Sequence, residues 1–135
     1  MDFLSALRIS GSGLSAERAR VNAASSNLAN AETTRGPDGE PYKRIDPVFE
    51  SIPVEGHEGP AEVRVAELKA DEGPGKRVYL PGHPDADATG FVTLPDVNPI
   101  HEVVNLMSAS RSYDANATAV DTLKTMAQRA LDIAR

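Results

Sequence analysis

The chain has 135 residues, 14 Lys and Arg against 20 Asp and Glu, no Cys, no Trp and only 4% aromatics. The missing cysteine excludes disulfides, thiolate metal sites and Cys nucleophiles, while a formal charge of −6 with no basic stripe weighs against nucleic acid as a partner. The length allows one domain at most, and no apolar run approaches the ~20 residues that span a bilayer.

The first segment, residues 1–32, balances Arg8, Arg18 and Arg20 against Asp2, Glu17 and Glu32. Its opening has an acid at position 2, no basic stretch and an interrupted apolar run, so no cleaved secretory signal is expected. Leu7, Leu14, Val21 and Leu28 recur at sevenfold spacing, which predicts a helix with a seam for another helix. Gly11 and Gly13 each weaken a helix interior by roughly 1 kcal/mol. Their use would be to admit a neighbouring backbone. Asn27 and Asn30 stand where this helix ends, as side-chain clamps or as a cap, since Asn tolerates the left-handed conformation.

Residues 33–97 hold nine of the ten prolines, eight of the ten glycines, and 13 acids against 7 bases. The stretch 33–60 reads as a proline-rich extended arm. Glu62–Leu68 alternates at period two, and Arg77–Leu80 and Gly90–Leu94 are short β-prone runs between turn signals, giving a small β element of two to four strands.

The last segment, residues 98–135, opens with Asn98 as N-cap, Pro99 at the first helical position and Glu102 near the positive end of the dipole. No Gly or Pro follows Pro99. Val103, Leu106, Tyr113, Ala117, Val120, Ala127, Leu131 and Ala134 form one apolar stripe, widened by Ile100, Val104, Met107, Leu123, Met126, Ala130 and Ile133. At 1.5 Å per residue such a helix exceeds roughly 50 Å, too long for so small a chain to cover. The expected fold class is mainly α: paired N- and C-terminal helices in coiled-coil-like packing, with the extended arm and small β element between them.

Several motifs resemble the flagellar axial proteins, the family that builds rod, hook and filament. Ser26-Asn27-Leu28-Ala29-Asn30-Ala31 matches that family's SxNLANA-type motif, preceded by a GLxAxxxR-like stretch at Gly13–Arg18. Thr33–Arg44, containing Pro37, Gly39, Pro41, Tyr42 and Arg44, is similar to the longer turn of its proximal-rod members. The blocks Pro81–Asp87, Gly90–Val92, Leu94–Pro99 and Met107–Asn116 resemble the same members, so the likeness covers nearly the whole chain and is weakest in residues 50–78. Glu32 stands where those members more often carry Asn before the two threonines, a change that weakens one turn hydrogen bond.

The resemblance implies a structural subunit of the proximal rod, with no enzyme activity and no cofactor. It implies export by the flagellar type III apparatus and assembly in the periplasm, through terminal helices, with copies of itself, other proximal and distal rod proteins and the adaptor to the MS ring. It also assigns Asn27, Leu28 and Asn30 to the motif where the first helix turns into the arm. Ser110, Arg111, Tyr113 and Asn116 fall in its C-terminal counterpart, and Tyr42 in the turn block.

Other readings point elsewhere. The heptad positions serve equally as ordinary intramolecular core, and Tyr113 as a satisfied core tyrosine. A small adaptor or export chaperone built on an amphipathic helix would also carry such stripes. His83 with Asp85 and Asp87, or His57 with Glu55 and Glu58, have metal-ligand chemistry and would suit a metal-dependent hydrolase. The prolines around His83 read first as a rigid turn with a solvated edge. No metal site and no catalytic residue is assigned.

Overall fold

The structure is a computed structural model that describes residues 3–54 and 59–133. The element order is α1 (Phe3–Ala29), β1 (Ile45–Pro53), β2 (Ala61–Ala70), β3 (Lys76–Tyr79), β4 (Phe91–Leu94) and α2 (Pro99–Ile133). The helices have 27 and 35 residues, or about 40 and 52 Å of axis. They run antiparallel along one another. Asn27 of α1 touches Glu102 of α2, and fourteen residues back along α1 Gly13 lies against Asn116, fourteen residues forward along α2. By that count Phe3 faces Met126, and the turns of α2 beyond it have no α1 residue opposite.

The helices approach closely because the contact is built from small residues. Ala16, Ala23, Ala24 and Ala109 are all nearly inaccessible. A Cβ on Gly13 would come within 2.9 Å of the Asn116 side chain. What Gly13 admits is thus the Asn116 side chain and not the neighbouring backbone that was expected, and nothing lies within 4 Å of the corresponding position on Gly11.

The mainly α expectation is overturned by two antiparallel hairpins. β1 pairs with β2 over nine and ten residues, with a bulge between Val48 and Phe49, and β3 pairs with β4. The region read as arm up to residue 60 thus contains a full strand. Pro47 and Pro53 concealed it, because proline removes a ladder donor. Here the ladder does not need those donors. Asp71 N bonds Arg44 O at one end and Val54 N bonds Pro60 O at the other. With antiparallel alternation, these bonds place Pro47 and Pro53 at positions whose nitrogens face away from β2.

The long hairpin crosses α1 obliquely and is pinned at both ends. At one end Ile45, on the outer edge of β1, exchanges two hydrogen bonds with Asn27. At the other, Val63 N on the outer edge of β2 donates to Ser12 Oγ at 3.1 Å, and Arg8 pairs with Glu62. The second hairpin carries a T-shaped Tyr79–Phe91 pair at 5.3 Å, with the Arg77 guanidinium over the Phe91 ring. Its connecting loop is tied to the arm through Asp85, which accepts from Thr34 Oγ1 and pairs with Arg35.

Candidate functional site

Where α1 ends, four segments meet on a buried polar cluster. Asn27 is 1% exposed and Glu102 2% exposed, so each polar atom there needs a partner. Asn27 Oδ1 accepts from Tyr42 Oη at 3.0 Å and from Ile45 N at 2.9 Å. Its Nδ2 donates to Ile45 O at 2.9 Å and to Glu102 Oε2 at 3.2 Å. The other carboxylate oxygen of Glu102 accepts from Arg44 Nε at 2.8 Å. Tyr42 Oη also meets Ser26 Oγ, and Arg44 reaches on to Asp46. Burial works against the Arg44 charge, but Glu102 and Asp46 outweigh it and raise its pKa above the usual guanidinium value.

Local sequence explains how these groups are aimed. Asn27 sits on the α2-facing side of α1 with Ala23 and Ala24, and their small side chains leave room for its amide. The helix stops three residues later on Asn30. Its Nδ2 donates to Ser26 O, its Oδ1 accepts from Thr33 Oγ1, and its carbonyl takes Thr33 N. No non-glycine among the described residues has a positive φ, so the left-handed cap expected as one option at Asn30 is not used. Tyr42 N then bonds Thr33 O, folding the arm back so that Tyr42, Arg44 and Ile45 reach the cluster. On α2, Asn98 Oδ1 accepts from Ile100 N and His101 N, starting the helix so that Glu102 points inward.

The cluster unites Asn27 and Tyr42, both singled out from sequence, with two residues whose role was missed. Arg44 belonged to a recognised motif without an assigned contact, and Glu102 was read only as a dipole partner. The available signal was periodicity: Glu102 heads the sevenfold series Ala109, Asn116, Leu123 and Ala130 as its one charged member.

The packing candidates are spread along the helix pair. Leu7, Leu14, Val21, Leu28, Leu106 and Val120 are half-buried. Val103 and Tyr113 remain about two-fifths exposed, and Leu131 is 69% exposed. Asn116 is half-buried against Gly13, and Arg111 is exposed. Ile100, Val104 and Met107 are also open near the start of α2, as are Met126 and Ile133 near its end. Ala134 lies outside the described residues.

The metal readings find other employment for their side chains. His83 Nδ1 accepts from Asp85 N, Asp85 holds the arm, and Asp87 accepts from Thr89 and Phe91 N and pairs with Arg77. No grouping of three metal-ligand side chains occurs among the described residues; His57, Glu55 and Glu58 lie outside them. Nor is any described helix long and apolar enough to cross a membrane.

Comparison with known proteins gives two family matches. A model described as flagella basal body rod protein covers residues 7–37, and one described as flagellar basal body rod FlgEFG protein C-terminal covers residues 88–133. The flagellar basal-body rod protein FlgC of Salmonella typhimurium is 44% identical over 133 residues, spanning 98% of each chain. That of Aquifex aeolicus is 44% identical over 133 residues, spanning 98% of this chain and 97% of its own. The Bacillus subtilis protein of the same name is 39% identical over 144 residues, spanning 96% of each.

Proposed function

The chain belongs to the FlgC family of flagellar basal-body rod proteins, structural subunits of the basal body, and we propose that it is built into the proximal rod through its two terminal helices. The neighbours in this reading are copies of itself, the other proximal and distal rod proteins and the adaptor to the MS ring. The subunit reaches the periplasm through the flagellar type III apparatus, and its work there is mechanical: it transmits torque as part of a stiff shaft. Catalysis has no part in it.

One observation carries this reading. The chain exposes 9243 Å² for 14.3 kDa, whereas a compact monomer of that mass exposes about 6,800 Å². The excess of about 2,400 Å² equals the share one subunit contributes to roughly three standard interfaces. Much of it is helix flank with apolar side chains, the kind of surface that neighbours cover. Covered by head-to-tail neighbours whose rotation does not close into a ring, such flanks extend into a helical shaft.

The test is complementation of a strain lacking this gene, scored by swimming and by imaging of basal bodies. Absent or truncated rods, restored by the intact chain and not by one lacking residues 1–10, are the expected result. Motile cells with complete basal bodies in the deletion strain would overturn it.

A further inference from the structure

The apolar side chains of the two helices do not specify how the helices align. On α1, Leu7, Leu14, Val21 and Leu28 repeat every seven residues, as do Ala16 and Ala23. On α2, Leu106, Tyr113, Val120 and Ala127 repeat at the same interval. Two seams with one shared period fit nearly as well after sliding by a whole heptad, because apolar groups again meet apolar groups. Alignment must come from residues that break the repeat.

One column does so. Ala6, Gly13, Arg20 and Asn27 on α1 face Leu123, Asn116, Ala109 and Glu102 on α2 in the observed alignment, as fixed by the Gly13–Asn116 and Asn27–Glu102 contacts. Sliding α2 by seven residues in one sense puts Leu123 on Gly13, Asn27 opposite Ala109, and Glu102 past the end of α1. The opposite slide leaves Asn27 beyond the start of α2. The arm makes the choice firmer. Asn27 binds both Tyr42 and Ile45, so arm and α1 behave as one body. Glu102 is the α2 residue that enters this cluster, through Asn27 Nδ2 and Arg44 Nε.

We infer that Glu102, held by Asn27 and Arg44, is the register-determining residue of this chain: it makes docking of the arm and correct alignment of the terminal helices a single event. A buried polar group that selects one register among apolar near-equivalents is the best-attested use of such groups. An arm that has not docked leaves α2 free to slide, and only the docked arm presents both helix flanks in one fixed arrangement to a neighbour.

The absence of cysteine makes the experiment clean, and it is done on the full chain in solution, so its outcome does not depend on the rod reading. Gly13→Cys with Asn116→Cys reports the observed alignment; Gly13→Cys with Leu123→Cys reports the slipped one. In the parent background the first pair forms a disulfide and the second does not. Adding Glu102→Leu, or Arg44→Met as a milder variant, is expected to move the ratio of the two products about tenfold toward the slipped pair. Glu102→Gln, which keeps an oxygen for Arg44 but turns an N–H toward Asn27, should fall between. An unchanged ratio in both variants, or an equal loss of both products, would overturn the inference, since a purely stabilising residue lowers both together.

Discussion

The side-chain amide of Asn27 meets the peptide of Ile45 as a neighbouring strand would, accepting its N–H and donating to its C=O, both at 2.9 Å. A helix residue thus occupies a place in the sheet's hydrogen-bond pattern and closes the outer edge of β1 at its first residue. Replacing Asn27 by Ala strands the Ile45 N–H and C=O and one oxygen of Glu102, and leaves Tyr42 Oη with Ser26 Oγ as its remaining partner. The expected loss is about 3 kcal/mol of unfolding free energy, measured by chemical denaturation. Asn27→Asp should be no better, because it puts a second carboxylate beside Glu102 and removes the donor.

Two glycines a single residue apart on α1 should respond differently to alanine. At Gly11 the added methyl meets nothing within 4 Å, so Gly11→Ala should stabilise the isolated chain by about 0.5–1 kcal/mol through helix propensity alone. At Gly13 the same methyl meets the Asn116 side chain at 2.9 Å. That substitution should forfeit the gain, because Asn116 must move for the helices to close. Thermal unfolding of the two variants side by side checks the contrast.

Gly75 turns the chain into β3 with φ of +71°, and a Cβ there would lie 2.7 Å from the carbonyl oxygen of Leu94. Backbone cannot yield as a side chain can. Gly75→Ala should cost about 2 kcal/mol or more, since the left-handed penalty adds to the clash. The loss should be local: amide exchange in Lys76–Tyr79 and Phe91–Leu94 rises while α1 stays protected.

The Asp87 carboxyl is held at a pKa of about 2, first by the Thr89 hydroxyl and then by the Phe91 N–H. A depressed carboxylate contributes stability that is present above its unfolded value, near 3.8, and disappears as pH falls through the folded one. The Asp87 contacts of the second hairpin's loop should therefore loosen between pH 4 and pH 2. The Thr89 and Phe91 amide resonances report it directly. Asp87→Asn should remove the transition.

Helices were legible in the sequence because their signals are local. The Asn98–Pro99 start and the absence of glycine afterwards leave few alternatives, and the Leu7–Leu28 repeat marks a face. Period-two alternation marked Glu62–Leu68, and short β-prone runs marked Arg77–Leu80 and Gly90–Leu94. Ile45–Pro53 was not legible, since whether a proline breaks a strand depends on which way its nitrogen faces, and that follows from the partner strand. The clasp was half legible for the same reason. Asn27 and Tyr42 stood in motifs, but a glutamate in a first helical turn looks like a dipole partner until the chain 75 residues away is brought to it.

Pro47 and Pro53 have a consequence of their own. Lacking N–H groups where β1 faces outward, they deny a passing extended chain the evenly spaced donors on which strand addition depends. Backbone pairing is indifferent to sequence, so an edge that offered it would accept almost any unfolded segment, including another copy's. Contact along this edge falls to side chains, whose fit depends on which residues are presented. Two prolines that hid the strand from a sequence reader thereby make its margin selective.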